Sequence, residues 1–399
     1  MVKSKLFAAL ALALVALLTG CGTCGETKPV AVRDSGTHFA ADALKPYIDS
    51  GECPGAISVF YKNGVQETAC LGYADVEKKI PMSLDRTFMQ CSQTKGFCGV
   101  TVAILIEEGK ISLDDPVSKY LPEFKTLYVA QRGEDGKITR VPAKNVPTIR
   151  MVMNHTAGFV TNIRSMNKKG WGSLPLRDAA REAAATPLLF EPGTKVKYSN
   201  AGIDIGAAVV EVVTGKPWDV FLKERVLDPL GMTDTVFDPS EEQLSRAMSL
   251  YHVAPGGKAR SRAGLKIMPN PLRGPHIHPS AAGGLWTTVP DQLKFYKMLM
   301  NLGVGDNGVR ILKEETVRDL LGVSTRPPKF HGYSLGLYAD FEKGAVWHSG
   351  ACKTHCRINW RKKELKLWAV QQWHANKLKM PWFTAWNEAA DRFFAAMDK

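Results

Sequence analysis

The sequence predicts an α/β fold of the α+β kind, in which one antiparallel sheet is built from both chain ends and flanked by helices. Runs typical of β-strands open the chain and return late in it, whereas helices and loops fill the middle. For these runs to share one sheet, the middle must leave the sheet and return, which predicts a mostly helical inserted subdomain. The composition is that of a globular protein, without low-complexity tracts.

The folded part of the chain is predicted to span residues 36–399. Its sheet subdomain covers about residues 36–116 and 280–399, and its helical subdomain covers about residues 117–279. The formal net charge of +13 favours anionic surfaces, but no nucleic-acid motif accompanies it. The basic residues are scattered apart from residues 258–273, which we interpret as an exposed loop. We therefore expect no nucleic-acid partner.

The first strands form a predicted hairpin. Residues 56–62 and 65–71 are β-type runs separated by Asn63-Gly64, which is the strongest short signal for a hairpin turn. A helix is predicted over residues 92–108, ending at Gly109 because glycine readily adopts the left-handed conformation that closes a helix. In the middle of the chain, residues 201–213 are the clearest helix.

Strand-like sequence returns in the last part of the chain. Four runs there are predicted to be strands, at residues 334–341, 345–348, 356–360 and 365–373. An amphipathic helix follows over residues 382–397. These late strands supply the second half of the predicted sheet.

The first 20 residues are predicted to be a lipoprotein signal peptide. A basic start precedes the unbroken apolar run of residues 6–18, which is too short to span a bilayer and typical of a signal peptide. The run ends in Leu18-Thr19-Gly20-Cys21, which resembles a bacterial lipobox with Cys21 as the lipidated residue; a plain secretory signal and an uncleaved anchor are the alternatives. Residues 21–35 then form a tether. Because Gly22 follows Cys21, we expect an exported protein, lipid-anchored in the cell envelope at the outer membrane and facing the periplasm.

Six cysteines follow Cys21 and Cys24. They are Cys53, Cys70, Cys91, Cys98, Cys352 and Cys356. An exported protein can oxidise such residues to disulfides, but the sequence leaves their pairing open. Cys91 directly precedes Ser92, so its redox state bears on that serine.

The most informative motif is Ser92-Gln93-Thr94-Lys95, at the head of the apolar run of residues 97–106. The helix dipole disfavours a lysine in the first turn, and residues three apart share one helix face. Desolvation and the dipole both favour the neutral amine, so Lys95 would be a base beside a nucleophile, Ser92. The alternative is an ordinary N-cap serine, although a capping box would place Glu or Gln at position 95.

Both short motifs used in this argument have a second copy. Ser165-Met166-Asn167-Lys168 has no apolar run behind it, and we interpret it as a solvated loop. Tyr61-Lys62-Asn63 repeats the Tyr-x-Asn pattern of Tyr198-Ser199-Asn200, but it leads into the hairpin turn and is interpreted as structural. Asn200 is alternatively a plain N-cap, and His348 a structural strand histidine.

Three motifs in order carry a resemblance to a known family. Ser92-x-x-Lys95 is followed by Tyr198-Ser199-Asn200, just before a predicted helix, and by His348-Ser349-Gly350, at the end of a predicted strand. This order resembles the serine β-lactamase and penicillin-recognising hydrolase superfamily. The similarity is closest to the class C-like branch, which includes esterases, D-aminopeptidases and DD-carboxypeptidases. Further stretches support it at residues 54–56, 108–117, 119–122, 148–150, 154–158 and 282–285.

The resemblance implies a set of catalytic roles. Ser92 would attack a carbonyl carbon and become an acyl-ester, with Lys95 as the base, alone or together with Tyr198. The Tyr198 hydroxyl, held near a cation, would have a lowered pKa and relay protons. Asn200 would hydrogen-bond Lys95 or a substrate amide. Which of Lys95 and Tyr198 is the main base stays open.

The resemblance also implies a substrate-binding strand. The backbone N–H groups of Ser92 and Ala351 would form the oxyanion hole, while Ser349 and Gly350 would contact substrate. His348 stands where many members carry a lysine, and would orient Tyr198 or contact a substrate carboxylate, although it is charged only part of the time. This difference favours an esterase-like or D-peptidase-like enzyme over an efficient β-lactamase.

Two departures bear on the predicted pocket. Ala351 replaces a glycine that many relatives carry, and the segment 352–356 would narrow or staple the pocket edge. Trp286, Trp347 and Trp373 are candidates for its lining. We expect no cofactor and no metal, and a small-molecule ester, amide or D-amino-acid peptide as the substrate.

Three rival hypotheses remain. Gly332-Tyr333-Ser334-Leu335-Gly336 fits the Gly-x-Ser-x-Gly motif of an α/β-hydrolase. A metal site would use ligand-type residues, which are His348, Cys352, His355 and Cys356, with the pair His276 and His278. A non-catalytic protein of the same fold would bind or sense a ligand without turnover.

Overall fold

A computed structural model of the chain describes residues 33–34, 36, 38–168, 174–253, 259–262, 279–322, 332–373 and 380–399. In chain order its strands are β1 (Arg33–Asp34), β2 (Gly55–Lys62), β3 (Val65–Asp75), β4 (Ile80–Pro81), β5 (Phe88–Met89), β6 (Tyr128–Arg132), β7 (Ile138–Pro142), β8 (Tyr251–Val253), β9 (Ala259–Arg262), β10 (Trp286–Thr287), β11 (Tyr338–Asp340), β12 (Ala345–Ser349), β13 (His355–Asn359), β14 (Glu364–Ala369) and β15 (Gln372–Trp373). Its α-helices are α1 (Phe39–Asp49), α2 (Thr94–Glu107), α3 (Ile149–Met153), α4 (Arg164–Lys168), α5 (Leu176–Ala185), α6 (Asn200–Thr214), α7 (Trp218–Leu222), α8 (Asp228–Leu230), α9 (Glu241–Ser245), α10 (Val289–Met300), α11 (Glu314–Gly322) and α12 (Pro381–Ala396).

The largest sheet joins the two ends of the chain, as predicted. Its strand order is β1-β3-β2-β14-β13-β12-β11, with β4 paired to β3. The pair β1–β3 is parallel, and the other neighbours in this order are antiparallel. Strands β2 and β14 meet with Lys62 opposite Glu364, so an early strand and a late strand lie side by side. The predicted fold class is therefore confirmed.

The hairpin β2–β3 turns at the predicted dipeptide. Asn63 and Gly64 both have left-handed backbone conformations, with φ of 48° and 85°. A two-residue turn of this kind matches the right-handed twist of the flanking strands, which explains why Asn-Gly suits the position.

Side chains of the sheet alternate between two buried layers. In β2, Ile57 and Val59 face a large core formed with α2, α6 and α10, whereas Phe60 faces a second core formed with α1 and α12. In the first core, Phe97 of α2 stacks on Phe295 of α10 with ring centroids 3.7 Å apart. Because both faces are covered, all residues of β2 are buried.

The second core is aromatic. Trp382, Trp386 and Phe393 of α12 pack against Phe60 and Trp368 of the sheet. Trp386 also donates its ring N–H to the Ser58 hydroxyl at 2.8 Å, so its polar atom is satisfied inside the core.

Several predicted elements differ from the observed ones. Of residues 334–341 only Tyr338–Asp340 form a strand, because the chain turns at Gly336, whose φ is 75° and whose added Cβ would lie 2.0 Å from the Lys95 carbonyl oxygen. Residues 365–373 are divided between β14 and β15. The second Ser-x-x-Lys copy is a short helix, α4, rather than a loop.

The inserted region is less purely helical than predicted. It contains the hairpin β6–β7, and β8 pairs with both β9 and the late strand β15. Strand β9 falls inside the predicted basic loop, and the rest of that loop lies outside the described residues, as do residues 1–20, Cys21 and Cys24. Among the helices of the described ranges, none has the length and apolarity needed to cross a bilayer.

Candidate active site

Ser92 lies in a tight turn between β5 and α2. Residues Cys91–Gln93 form one 3-10 turn, and Cys91 has a left-handed φ of 53°, which is strained for a residue with a side chain. The Thr94 hydroxyl stabilises this turn by donating to the Cys91 carbonyl at 2.7 Å. Helix α2 begins at Thr94 without a side-chain cap. The interpretation of Ser92 as an ordinary helix cap is therefore wrong.

Lys95 contacts the candidate nucleophile from inside the protein. Its side chain is completely buried, and Nζ donates to Ser92 Oγ at 3.1 Å and to the Ala282 carbonyl oxygen. Desolvation lowers the pKa of Lys95 to about 7, although the nearby Asp204 carboxylate opposes this shift. A substantial fraction of the amine is therefore neutral at neutral pH and able to accept a proton from Ser92.

Tyr198 lies on the other side of Ser92. The Lys95 Nζ is 4.8 Å from the centroid of its ring, and its hydroxyl hydrogen-bonds Ser92. Burial raises the pKa of Tyr198 well above its ordinary value, and the hydrogen bond with Ser92 offsets this only in part. The predicted lowering of this pKa is wrong, because the cost of burying a charged phenolate outweighs the hydrogen bond that favours it. Tyr198 is thus a protonated phenol that can donate.

Asn200 has a different partner from the one predicted. Its Nδ2 donates to Asn162 Oδ1 at 2.7 Å, while Lys95 donates to Ser92 and Ala282. Ser199, and not Asn200, caps α6, since Ser199 Oγ accepts from the Gly202 N–H at 2.9 Å. Within the described residues, the buried Oδ1 of Asn200 has no hydrogen-bond partner.

His348 is neutral, and its hydrogen-bond partners are Ser349 and Tyr333 rather than Tyr198. Its Nδ1 lies 2.8 Å from the Ser349 carbonyl oxygen and donates to it, so Nε2 accepts from the Tyr333 hydroxyl at 3.0 Å. Desolvation, with a contribution from Lys95, lowers the pKa of His348 to about 3. The prediction that His348 is charged part of the time is therefore wrong. Its hydrogen-bond partner is Tyr333, whereas the sequence had drawn attention to the neighbouring Ser334.

The end of β12 approaches the Ser92 turn closely. An added Cβ at Gly350 would lie 2.4 Å from the Gln90 carbonyl oxygen, so only glycine fits there. The Ser349 hydroxyl pairs with His355 Nδ1 at 2.8 Å, and His355 in turn packs against Trp386 on the α12 side of the sheet. The hydroxyl of Ser349 is thus turned to the face opposite His348, which leaves the backbone of this strand facing the site.

Two buried thiols lie at the same junction. Cys91 contacts the Cys352 thiol and the backbone N–H groups of Cys352 and Ala351, and these contacts lower its pKa. The Ala351 N–H therefore faces a sulfur atom, and its role in an oxyanion hole stays a prediction. All six cysteines of the described part are free thiols, so the segment 352–356 is not stapled by a disulfide in this structure.

The predicted tryptophan lining is divided between two surroundings. Trp286 is buried beside Cys91 and Cys352. Trp347 is half-buried and stacks on Tyr338 with ring centroids 5.8 Å apart. The side chain of Trp373 lies outside what the structure describes.

The rival nucleophile is a structural residue. Ser334 is completely buried and donates its hydroxyl to the Leu320 carbonyl oxygen. It precedes a turn and a short antiparallel strand rather than the strand-to-helix elbow of an α/β-hydrolase. The α/β-hydrolase hypothesis is therefore wrong.

The residues of the rival metal site are used separately. His348 bonds Tyr333, His355 bonds Ser349, and Cys352 contacts Cys91. Within the described ranges, no group of three or more ligand-type side chains converges. His276 and His278 lie outside those ranges.

Two more buried polar residues adjoin the site and were not singled out from the sequence. His155 accepts from the Ser199 N–H at 3.2 Å, its ring centroid is 4.5 Å from that of Tyr198, and its Nε2 is unpaired within the described part. Asp204 lies on α6 and binds the turn that carries Ala282. The available signal for Asp204 was a carboxylate within the apolar first part of α6, where all residues from Asn200 to Val210 are buried.

Comparison with known proteins agrees with this fold. A family model described as Beta-lactamase matches residues 40–370. Protein Rv1367c of Mycobacterium tuberculosis is 31% identical over 290 residues, which are 69% of each chain. Protein flp of Staphylococcus aureus is 25% identical over 304 residues, covering 76% of this chain and 56% of flp.

Solved structures show the same fold. EstCE1, a hydrolase with promiscuous acyltransferase activity, is similar with a TM-score of 0.71 at 22% identity, over 88% of this chain and 97% of EstCE1. Simvastatin synthase (LovD) from Aspergillus terreus is similar with a TM-score of 0.74 at 19% identity, over 90% and 98% of the two chains. The fold and the Ser92–Lys95 pair define the class of beta-lactamase-related hydrolases. The chain belongs to the beta-lactamase family.

Proposed function

We propose that this protein is a serine hydrolase that cleaves an ester or amide bond through an acyl-enzyme on Ser92. The observation that carries the proposal is the contact between Ser92 Oγ and a buried, weakly basic Lys95 at 3.1 Å. A lysine with a pKa of about 7 accepts a proton at physiological pH, and Ser92 next to it is only partly buried.

The protons follow a short path in this mechanism. As Ser92 Oγ bonds to the carbonyl carbon, its proton passes to Lys95 Nζ. The Tyr198 phenol donates its proton to the leaving group as the scissile bond breaks, and then regains one from the Lys95 ammonium. Water releases the acyl group by the reverse path, which restores the Ser92 hydroxyl. Because burial keeps Tyr198 protonated, we assign the base to Lys95 and the acid to Tyr198.

The electrostatics of the site favour an esterase-like or D-peptidase-like substrate over efficient β-lactam turnover. His348, with a pKa of about 3, offers no positive charge to a substrate carboxylate. The unpaired Asn200 Oδ1 can accept a hydrogen bond from a substrate amide. EstCE1, a hydrolase with acyltransferase activity, and LovD, a synthase, have this fold, which is compatible with acyl chemistry on Ser92.

The experiment uses protein that begins after Cys24, treated with a fluorophosphonate probe and analysed by peptide mass mapping. A single adduct on Ser92 is expected, followed by turnover in a screen of short esters, D-peptides and a penicillin. Ser92→Ala should lose labelling and activity without a change in thermal stability. The matched control is Ser165→Ala in the second Ser-x-x-Lys copy, which should behave as wild type.

Two results would contradict the proposal. Full turnover by Ser92→Ala would contradict the acyl-enzyme mechanism. A folded wild-type protein that neither labels nor hydrolyses any substrate would support a non-catalytic ligand-binding or sensor protein.

We also propose that the protein is lipid-anchored in the cell envelope through Cys21. The support is the signal-like apolar run of residues 6–18 and the lipobox-like sequence that ends at Cys21. Incorporation of a fatty-acid label should be lost in Cys21→Ser and retained in Cys24→Ser. Equal labelling of both variants would refute this anchor.

A further inference from the structure

A buried carboxylate supports the turn on which Lys95 rests. Asp204, on the first turns of α6, is only 2% exposed. Both of its oxygens accept from the Ser280 hydroxyl at 3.2 Å, and Oδ1 also accepts from the Ala282 N–H at 3.1 Å. Burying a carboxylate is costly unless hydrogen bonds compensate for lost hydration, so Asp204 and this turn depend on each other.

The same turn faces Lys95 on its other side. The Ala282 carbonyl oxygen accepts from Lys95 Nζ, while the Ala282 N–H is held by Asp204. Farther along the turn, the Leu285 N–H donates to the Thr94 hydroxyl at 3.3 Å, next to Lys95 on α2. Ala282 is thus hydrogen-bonded through both its N–H and its carbonyl, so it links Asp204 to Lys95.

The charge of Asp204 acts on Lys95 as well. The charged or titratable groups that surround the Lys95 amine are Cys91, Cys98, His155, Tyr198, Asp204 and His348. Among these, Asp204 gives the largest contribution that raises the pKa of Lys95 against desolvation. Asp204 therefore has two separable effects: a geometric one through Ala282 and an electrostatic one through space.

We propose that Asp204 is a positioning residue for the Ser92–Lys95 pair. It holds Ala282, whose carbonyl oxygen accepts from the lysine amine and keeps that amine next to the serine. Its negative charge also stabilises the protonated amine, so that Lys95 loses its proton at a higher pH than it would without Asp204. This inference rests on the proposed function. Helix α6 then contributes two residues to the site, Asn200 and, one helical turn later, Asp204.

Two substitutions at this position separate the two effects. Asp204→Asn keeps an oxygen that can accept from the Ala282 N–H but removes the charge, whereas Asp204→Ala removes both. Ser280→Ala is the matched control, because it removes the hydroxyl that donates to both Asp204 oxygens and leaves the carboxylate on the Ala282 N–H. The readout is the rate of fluorophosphonate labelling of Ser92 in the full chain from pH 5 to 9, together with kcat and KM for an ester that wild type cleaves.

For Asp204→Asn we expect near wild-type labelling at high pH and an acid limb displaced to lower pH by roughly half to one unit, since the cation loses an opposite charge. For Asp204→Ala we expect kcat to fall roughly ten- to a hundredfold with KM little changed, since the base is misplaced. Compared with Asp204→Ala, the Asp204→Asn variant should restore the maximal rate at high pH but not the wild-type position of the acid limb. Ser280→Ala should leave the acid limb at its wild-type pH.

The outcomes distinguish this inference from the proposed function. A wild type that does not label overturns both. A wild type that labels, with an Asp204→Asn profile superimposed on it, overturns the electrostatic effect, and a folded Asp204→Ala variant with unchanged kcat overturns the geometric one. An Asp204→Asn variant that does not fold would assign the residue a purely structural role.

Discussion

Two lysines are buried on opposite sides of the sheet, and their surroundings differ. Lys62, at the end of β2 beside α12, bonds Glu364 at 3.1 Å and Asp398 at 2.6 Å. Burial acts to lower its pKa, but the hydrogen bonds with Asp398 and Glu364 outweigh burial and raise it. Among the described residues, Lys95 on α2 has a hydroxyl and a carbonyl as its hydrogen-bond partners, and desolvation lowers its pKa to about 7.

The difference lies in where the carboxylates are. At Lys62 they touch the ammonium group and make a structural ion pair. At Lys95 the carboxylate of Asp204 bonds the Ala282 N–H, and the Ala282 carbonyl bonds the lysine amine. Asp204 therefore raises the pKa of Lys95 through space without forming an ion pair with it. One side of the sheet thus uses a buried lysine for stability, and the other side leaves a buried lysine underpaired, as a base requires.

The largest effect is expected for Lys95→Met. Without the base, kcat/KM should fall about a thousandfold, within the range that general base catalysis contributes. The free energy of unfolding should stay the same or rise, because a poorly paired buried amine is replaced by an apolar side chain. Steady-state kinetics and urea denaturation measure the two quantities, and a large loss of stability would place Lys95 in the same class as Lys62.

The opposite pattern is expected for Trp386→Ala in the aromatic core of α12. Removal of this completely buried ring should lower the free energy of unfolding by about 3–5 kcal/mol. The folded fraction should retain the wild-type kcat, because the ring lies on the far side of the sheet from Ser92. A reduced kcat in fully folded protein would show that the two faces are coupled.

A smaller effect is expected for Lys62→Met. Glu364, with a side chain only 16% exposed, loses its ammonium partner, whereas Asp398 is 65% exposed and becomes hydrated. We expect a loss of about 1–2 kcal/mol in unfolding free energy, since solvent screens part of this ion pair. The labelling rate of Ser92 is the control, and it should match wild type.

The last prediction concerns the pH dependence of the unmodified protein, close to its half-maximal point. Since Lys95 must be neutral to act as the base, kcat/KM should be half-maximal near pH 7 and fall about tenfold per pH unit below it. Tyr198 and His348 should not titrate in this range, because burial raises the pKa of Tyr198 and lowers that of His348 to about 3. A rate constant that is flat from pH 5 to 9 would exclude Lys95 as the base.

The features that could be predicted from the sequence are those that depend on short local patterns. Ser92 and Lys95 are three residues apart, and this spacing brings their side chains together where the 3-10 turn runs into α2. The hairpin turn needs only Asn63-Gly64. The order of strand-like runs sufficed for the antiparallel sheet from both chain ends.

The remaining features depend on contacts between distant segments. The Lys95 partner Ala282 is 187 residues away in the chain, and no local pattern connects the two. The direction of the Tyr198 pKa shift follows from burial, which only the packed structure determines. The placement of Tyr333 on His348 likewise depends on the turn at Gly336.

The pairing of β2 with β14 has a consequence for synthesis of the chain. Lys62 and Glu364 are neighbours in the sheet but 302 residues apart, so β2 leaves the ribosome long before its partner strand exists. During that interval an apolar strand, whose residues are all buried in the final fold, has β3 on one edge and nothing on the other. Completion of the sheet therefore waits for the C-terminal strands, and until then the hairpin keeps an unpaired strand edge, which is prone to pair with other chains.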